Sequence, residues 1–197
     1  TEVYQVTSEN GIVAQVGEYK YTSLSQAMAA VPDNEKTEVV ILNDCEATNI
    51  TLSASKNVVL NLGNKTISNS AATPIFTING RLEINATPNK LGEYVSGFNG
   101  NAGMVLKLAG NAEVIVNGGK FTSNANGSAA ARNAIFNLDA GGTLTINNGV
   151  FIGSPLNAYH GSVINAQGNA TANITINRGT FSTISEVSAS EGQSLIY

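Results

Sequence analysis

The stretch Asn111–Phe121, NAEVIVNGGKF, is said again twice further along the chain. Val114, Val116, Asn117, Gly119 and Phe121 recur as Leu144, Ile146, Asn147, Gly149 and Phe151, then as Ile174, Ile176, Asn177, Gly179 and Phe181. The leading positions, 114, 144 and 174, keep a constant step of 30 residues. A fixed period in this range confines a chain to a solenoid. One unit cannot bury its apolar face alone and must stack on copies of itself.

Leu144 and Ile146 flank Thr145, and Ile174 and Ile176 flank Thr175, so apolar and polar residues alternate with the period of two that belongs to a strand. The first copy carries Ile115 at the polar place. After each strand come an asparagine, a glycine two residues on and a phenylalanine. This reads as a sharp corner and a second strand ending in an aromatic, with glycine where the backbone needs angles that other residues avoid. Another largely apolar run precedes each repeat: Val105–Leu108, Ile135–Leu138 and Val163–Ala166. Three short strands per unit, joined by corners, predict one coil of a helix of parallel strands. Successive coils would lie about 4.8 Å apart.

These residues resemble the right-handed parallel β-helix of the pectate-lyase-like group. The fold class expected is therefore all-β, a solenoid with a short N-terminal capping helix. By the same resemblance Asn117, Asn147 and Asn177, with Asn85 as a fourth rung, correspond to the asparagine ladder stacked inside corners of that group. The physical reason is that a buried corner leaves backbone groups unpaired, and stacked amides can satisfy them from coil to coil.

Residues 11–22 read as two short strands around Gly17 and Glu18. Leu24, Ala27, Met28 and Val31 then fall at helical spacing, with a Ser/Thr cap ahead and Pro32 closing the run. Such a helix would cover the apolar core and strand edge of the first coil. The organisation expected is a cap over 1–35, coils over 36–185, and a tail or the start of a following segment over 186–197. Strands are expected at 38–43, 57–62, 65–67, 74–78 and 82–85. Long connections at 86–102, 122–132 and 152–161 interrupt the coils, where binding loops commonly sit.

The run VGEYKYTSLSQAMAAVP, followed by TEVVILND, is similar to the opening of β-helical domains in large surface proteins of gut bacteria, over roughly residues 12–85. That resemblance implies an extracellular, cell-surface location. It says little about activity.

Charged residues make up 12% of the chain, half the usual share of about 25%. The net charge of −4 and the lack of any Lys/Arg cluster argue against a nucleic-acid partner. Cys45 is the only cysteine, so no internal disulfide forms, and no Cys/His grouping suggests a metal; it reads as a small buried hydrophobe. No apolar run reaches the about 18 residues that membrane insertion needs.

Many β-helices resembling this one are polysaccharide lyases or glycoside hydrolases. A lyase needs a basic side chain with acidic residues holding calcium, and a hydrolase needs paired carboxylates. At a step of 30, Thr77, Lys107 and Asn137 stack on one outward column with Asp139 nearby. Glu83 and Glu113, at the same step, could pair on adjacent coils. Matching Leu82 to Val114 instead sets Glu83 against Ile115 and leaves two unrelated, solvated glutamates, the reading favoured here. His160 is the only histidine, so no nucleophile relay is assembled. No catalytic residue, metal or cofactor is assigned. A binding module would use loop aromatics, and Tyr94, Phe98, Tyr159 and His160, with Lys107 on the wall, are the candidate ligand-binding residues. Tyr94 and Phe98 could equally fold back over the coil beneath. The function expected is a monomeric, non-catalytic surface module that binds a glycan or host surface protein or serves as a rigid stalk. The alternatives are a carbohydrate-active enzyme and a phage tail-fibre or spike segment.

Overall fold

The alternating pattern folds into nineteen short strands and one helix among the described residues of the computed structural model, which are 11–71, 73–100, 105–123, 134–139, 141–153, 162–166 and 171–183. The chain opens with β1 (Ala14–Val16), β2 (Tyr19–Tyr21) and α1 (Leu24–Ala30). Circuits of three strands follow. The first is β3 (Lys36–Ile41), β4 (Cys45–Glu46) and β5 (Ile50–Leu52), and the second β6 (Asn57–Asn61), β7 (Ile67–Asn69) and β8 (Phe76–Ile78). The third is β9 (Arg81–Asn85), β10 (Gly97–Gly100) and β11 (Leu106–Leu108), and the fourth β12 (Glu113–Val116), β13 (Lys120–Ser123) and β14 (Ala134–Leu138). The fifth is β15 (Thr143–Ile146), β16 (Val150–Gly153) and β17 (Ser162–Asn165), followed by β18 (Asn173–Ile176) and β19 (Thr180–Thr183).

The leading strands of the circuits, β3, β6, β9, β12, β15 and β18, lie side by side in a first sheet. The middle strands from β4 to β19 make a second sheet and the closing strands from β5 to β17 a third. Neighbouring circuits pair in parallel throughout. The protein is thus mostly β, built of stacked parallel sheets. β10 lies within the segment that the sequence reads as one long connection over 86–102. Its residues, Gly-Phe-Asn-Gly, carry no strand signal of their own, and it exists because β7 and β13 pair with it on either side.

Alternation places every second side chain inside. Val58, Leu82, Val114 and Leu144 form one buried column, and Leu60, Ile84, Val116 and Ile146 the next. On the second sheet Phe98, Phe121, Phe151 and Phe181 stack ring on ring, with centroids 5.1, 5.1 and 4.9 Å apart and planes inclined by 17°, 20° and 19°. Offset stacking suits this strand spacing, so equal residues on successive circuits meet without strain. The repeat glycine makes room for the stack. Gly149 has φ +143°, and a Cβ there would stand 2.7 Å from Phe151 Cζ.

The N-terminal elements close the open edge. β1 pairs antiparallel with both β2 and β3, which occupies the free backbone groups of the first circuit. Ser23 caps α1, its Oγ accepting from Gln26 N at 3.3 Å, an interaction worth about 1 kcal/mol. Leu24, Ala27, Met28 and Val31 are buried against the end of the core, as their spacing predicts.

The favoured register of the two glutamates holds, while the enclosed setting expected for the asparagine ladder needs correction. β9 meets β12 with Leu82 on Val114 and Glu83 on Ile115, while Glu113 lies beside Arg81. The third circuit is therefore longer than the repeat, and Glu83 and Glu113 do not stack. The asparagine ladder exists and has a fifth rung, Asn61. Nδ2 of each asparagine donates to Oδ1 of the one before, from Asn85 to Asn61 at 2.9 Å, Asn117 to Asn85 at 2.8 Å, Asn147 to Asn117 at 2.7 Å and Asn177 to Asn147 at 2.7 Å. Its rungs are half-buried or exposed, not enclosed in a corner. The backbone N–H groups of Asn117, Asn147 and Asn177 already donate to Ile84, Val116 and Ile146. The amides serve one another instead of rescuing stranded backbone.

Candidate functional site

Since the apolar positions of the first sheet point inward, the alternate ones line an outer wall. One outer column runs Lys36, Asn57, Arg81, Glu113, Thr143 and Asn173, and the next Glu38, Val59, Glu83, Ile115, Thr145 and Thr175. The charges on this wall are tied together. Lys36 Nζ lies 3.1 Å from Glu83 Oε2, and Arg81 Nη1 lies 2.5 Å from Glu113 Oε2. Glu83 Oε1 also accepts from Asn117 Nδ2 at 3.2 Å, and Glu38 accepts from Asn61, so the wall and the ladder are one network. Glu83 and Glu113 thus each have a cation of their own, as two unrelated glutamates.

Where the third sheet turns into the first, three successive corners enclose an open groove of about 410 Å³, whose lining includes Asn34, Lys56, Asn57, Asn79, Arg81 and Asn111. Its floor is close-packed backbone: a Cβ on Gly80 would stand 2.4 Å from the carbonyl oxygens of both Lys56 and Ser53. Lys56 Nζ bridges Asp33, at 3.0 Å, and the carbonyl of Val31. Ser55 Oγ donates to Asp33 Oδ1 at 2.7 Å, and this bond, with the Lys56 ammonium beside it, holds the Asp33 carboxyl below its ordinary range. Lys56 and Arg81 are matched by Asp33 and Glu113, so the groove has no excess of either charge. Asn57 Oδ1, buried beneath it, has no hydrogen-bond partner among the described residues. Amides, a hydroxyl and balanced charges can hydrogen-bond an uncharged, hydroxyl-rich ligand, and they exert little pull on an ion.

The structure distributes the sequence-predicted ligand residues instead of gathering them. Tyr94 folds back over the corner at Gly118, where a Cβ would meet its ring at 2.5 Å, and its hydroxyl donates to Asn117 O at 3.5 Å. Phe98 is 1% exposed and is a rung of the interior stack, so its ring offers no face to a ligand. Lys107 lies on the outer face of the third sheet, beside Thr77 and Asn137 as the step of 30 predicts, with Nζ 2.6 Å from Asp139 Oδ2. Tyr159 and His160 lie outside the described residues. Cys45 is half-buried at the foot of the phenylalanine column, and burial, with Asp44 adding to it, pushes its thiol up to about 11. A thiol so rarely ionised is a poor nucleophile.

Sequence reasoning passed over the groove. Lys56 stands just before β6 and Arg81 opens β9, but the circuit between them is shorter than 30 residues, with Val58 lying on Leu82, and the one after it is longer, with Leu82 lying on Val114. Only the register reveals that these corners stack. Among the described residues no group of three or more His, Cys, Asp or Glu could hold a metal ion. No helix among them is long and apolar enough to cross a membrane. Comparison with family models, curated proteins and solved structures gives no match for this chain.

Proposed function

We propose that this chain is a right-handed parallel β-helix of the pectate-lyase-like type, acting as a non-catalytic module of a bacterial cell surface that holds a glycan-binding wall away from the cell. The right hand is supported by the general rule that parallel strands of one sheet are connected right-handedly in nearly all proteins. The observation that carries the reading is the stacking of five circuits and the first two strands of a sixth, apolar inside and amide-laddered outside. It favours a stiff element of roughly 24 Å along its axis, from five spacings of about 4.8 Å. The charge-balanced groove beside Arg81 and Glu113 favours a neutral glycan over an ionic ligand. The surface location rests on the resemblance of residues 12–85.

A glycan array, combined with product analysis on pectins and mucin glycans with calcium present, tests this. Binding without turnover, weakened at least tenfold by Arg81→Ala, is the expected result. New reducing ends or unsaturated products would overturn the non-catalytic reading and favour a lyase or hydrolase working from Lys107 and Asp139. No binding at all would leave the stalk and remove the glycan.

A further inference from the structure

The outer column of the third sheet runs Thr51, Thr77, Lys107, Asn137 and Asn165 on successive circuits. Its later members close on one another through Asp139. Lys107 Nζ lies 2.6 Å from Asp139 Oδ2. Asn137 Nδ2 donates to the other oxygen of the same carboxylate, Oδ1, at 2.5 Å. Asn165 Nδ2 donates to Asn137 Oδ1 at 2.9 Å. Asn137 is 3% exposed and Asn165 1%, while Lys107 keeps 32% of its side-chain surface. A primary amine and a buried carboxamide thus stand on the two oxygens of one carboxylate, and a second amide polarises the carboxamide oxygen.

We propose that Lys107 and Asn137 condense into an amide cross-link between adjacent circuits, with Asp139 carrying the protons and Asn165 stabilising the oxyanion. Asp139 Oδ2 takes a proton from the Lys107 ammonium and frees the Nζ lone pair, which attacks Asn137 Cγ. Charge develops on Oδ1, where the Asn165 N–H is already in place. Once Cγ is tetrahedral Nδ2 regains a lone pair, the Asp139 carboxyl turns to donate its proton to it, and the C–Nδ2 bond breaks. The second Nζ proton leaves with the departing amine, so lysine ammonium and carboxamide become a secondary amide and ammonium, and Asp139 ends as the carboxylate it began as. No oxidant or other co-reactant is needed. The sheet supplies the encounter: the two backbones are paired residue for residue, which replaces a bimolecular amide exchange by a positioned, unimolecular one. The product would tie β11 to β14 covalently and hold that loop closed even in the unfolded chain. It concerns a different sheet from the glycan groove and stands independently of the surface-module reading.

The intact mass of the purified, denatured chain decides the matter. The expected value is the sequence mass less one ammonia. Proteolysis should then yield a branched peptide joining the segments that contain Lys107 and Asn137, uncut after Lys107. Lys107→Arg, which keeps a cation beside Asp139, should restore the full mass. Full mass in the native chain after prolonged incubation at neutral pH overturns the proposal without recourse to any variant. So does an ammonia loss that persists in Lys107→Arg, which belongs to cyclisation at an Asn-Gly site instead. Asp139→Asn should also give full mass, with circular dichroism reporting whether the fold is retained. A branched peptide in that variant would remove Asp139 from the chemistry.

Discussion

The phenylalanine stack inside the second sheet and the asparagine ladder outside the first are built by one device, the same residue repeated at the strand spacing, yet they contribute very differently. Phe121 touches Phe98, Phe136 and Phe151 and is removed from water entirely. Burial of such a side chain is worth about 1.5–3 kcal/mol before ring contacts are added. Asn147 exchanges bonds with water for bonds with Asn117 and Asn177, for a net gain of about 0.5–1.5 kcal/mol. The interior therefore supplies stability, and the ladder supplies alignment, since each amide must meet the next in donor-to-acceptor order.

The comparison can be broken from its larger side first. Phe121→Ala should cost about 3–5 kcal/mol in denaturant unfolding, because a cavity opens in the middle of the stack. A loss below about 1 kcal/mol would mean that the rings do not organise the core. Asn147→Ala should cost about 0.5–1.5 kcal/mol, as expected for a half-buried rung whose partners can turn to water. A cost equal to that of Phe121→Ala would show the ladder to be enclosed after all.

The smallest effect lies at the groove rim. The folded Asp33 carboxyl titrates below its ordinary 3.8, because the Ser55 hydroxyl and then Lys56 favour the charged form. Its contribution is thus present above pH 3.8 and disappears as pH falls through the lowered folded value. The stability difference between the native chain and Asp33→Asn should be flat from neutral pH down to that point and shrink below it. A difference that grows on acidification would place the Ser55 and Lys56 contacts elsewhere.

How far the sequence could be read depended on which circuit was being read. On the first and second sheets the constant step gives the right neighbours from Val114 onward, and Phe121 on Phe151 and Asn147 on Asn117 were legible; on the third it gives Lys107 beside Asn137, but Asn137 meets Asn165 at a shorter step. The helix over Leu24–Ala30 was legible too, from its cap and apolar spacing. On the first sheet before Val114 the same step misleads. It sets Glu83 against Glu113, where Arg81 in fact lies beside Glu113. It also leaves Phe98 in a loop, where β10 carries it into the core. The groove is built from those irregular circuits, so its residues left no trace in the repeat.

Alternation along a strand is a local property, because neighbouring side chains must point to opposite faces whatever surrounds them. Local sequence therefore settled which residues face inward, where the corners bend at glycine, and that the strands are too short to stand unstacked. Register between circuits is not local. It depends on how many residues each connection absorbs before the chain returns to the first sheet, and a two-residue difference moves every outward charge to a new partner. The ion pairs of Glu83 and Glu113, the fifth asparagine rung and the groove beside Arg81 were decided there, by apolar columns coming into contact and carrying the polar face with them.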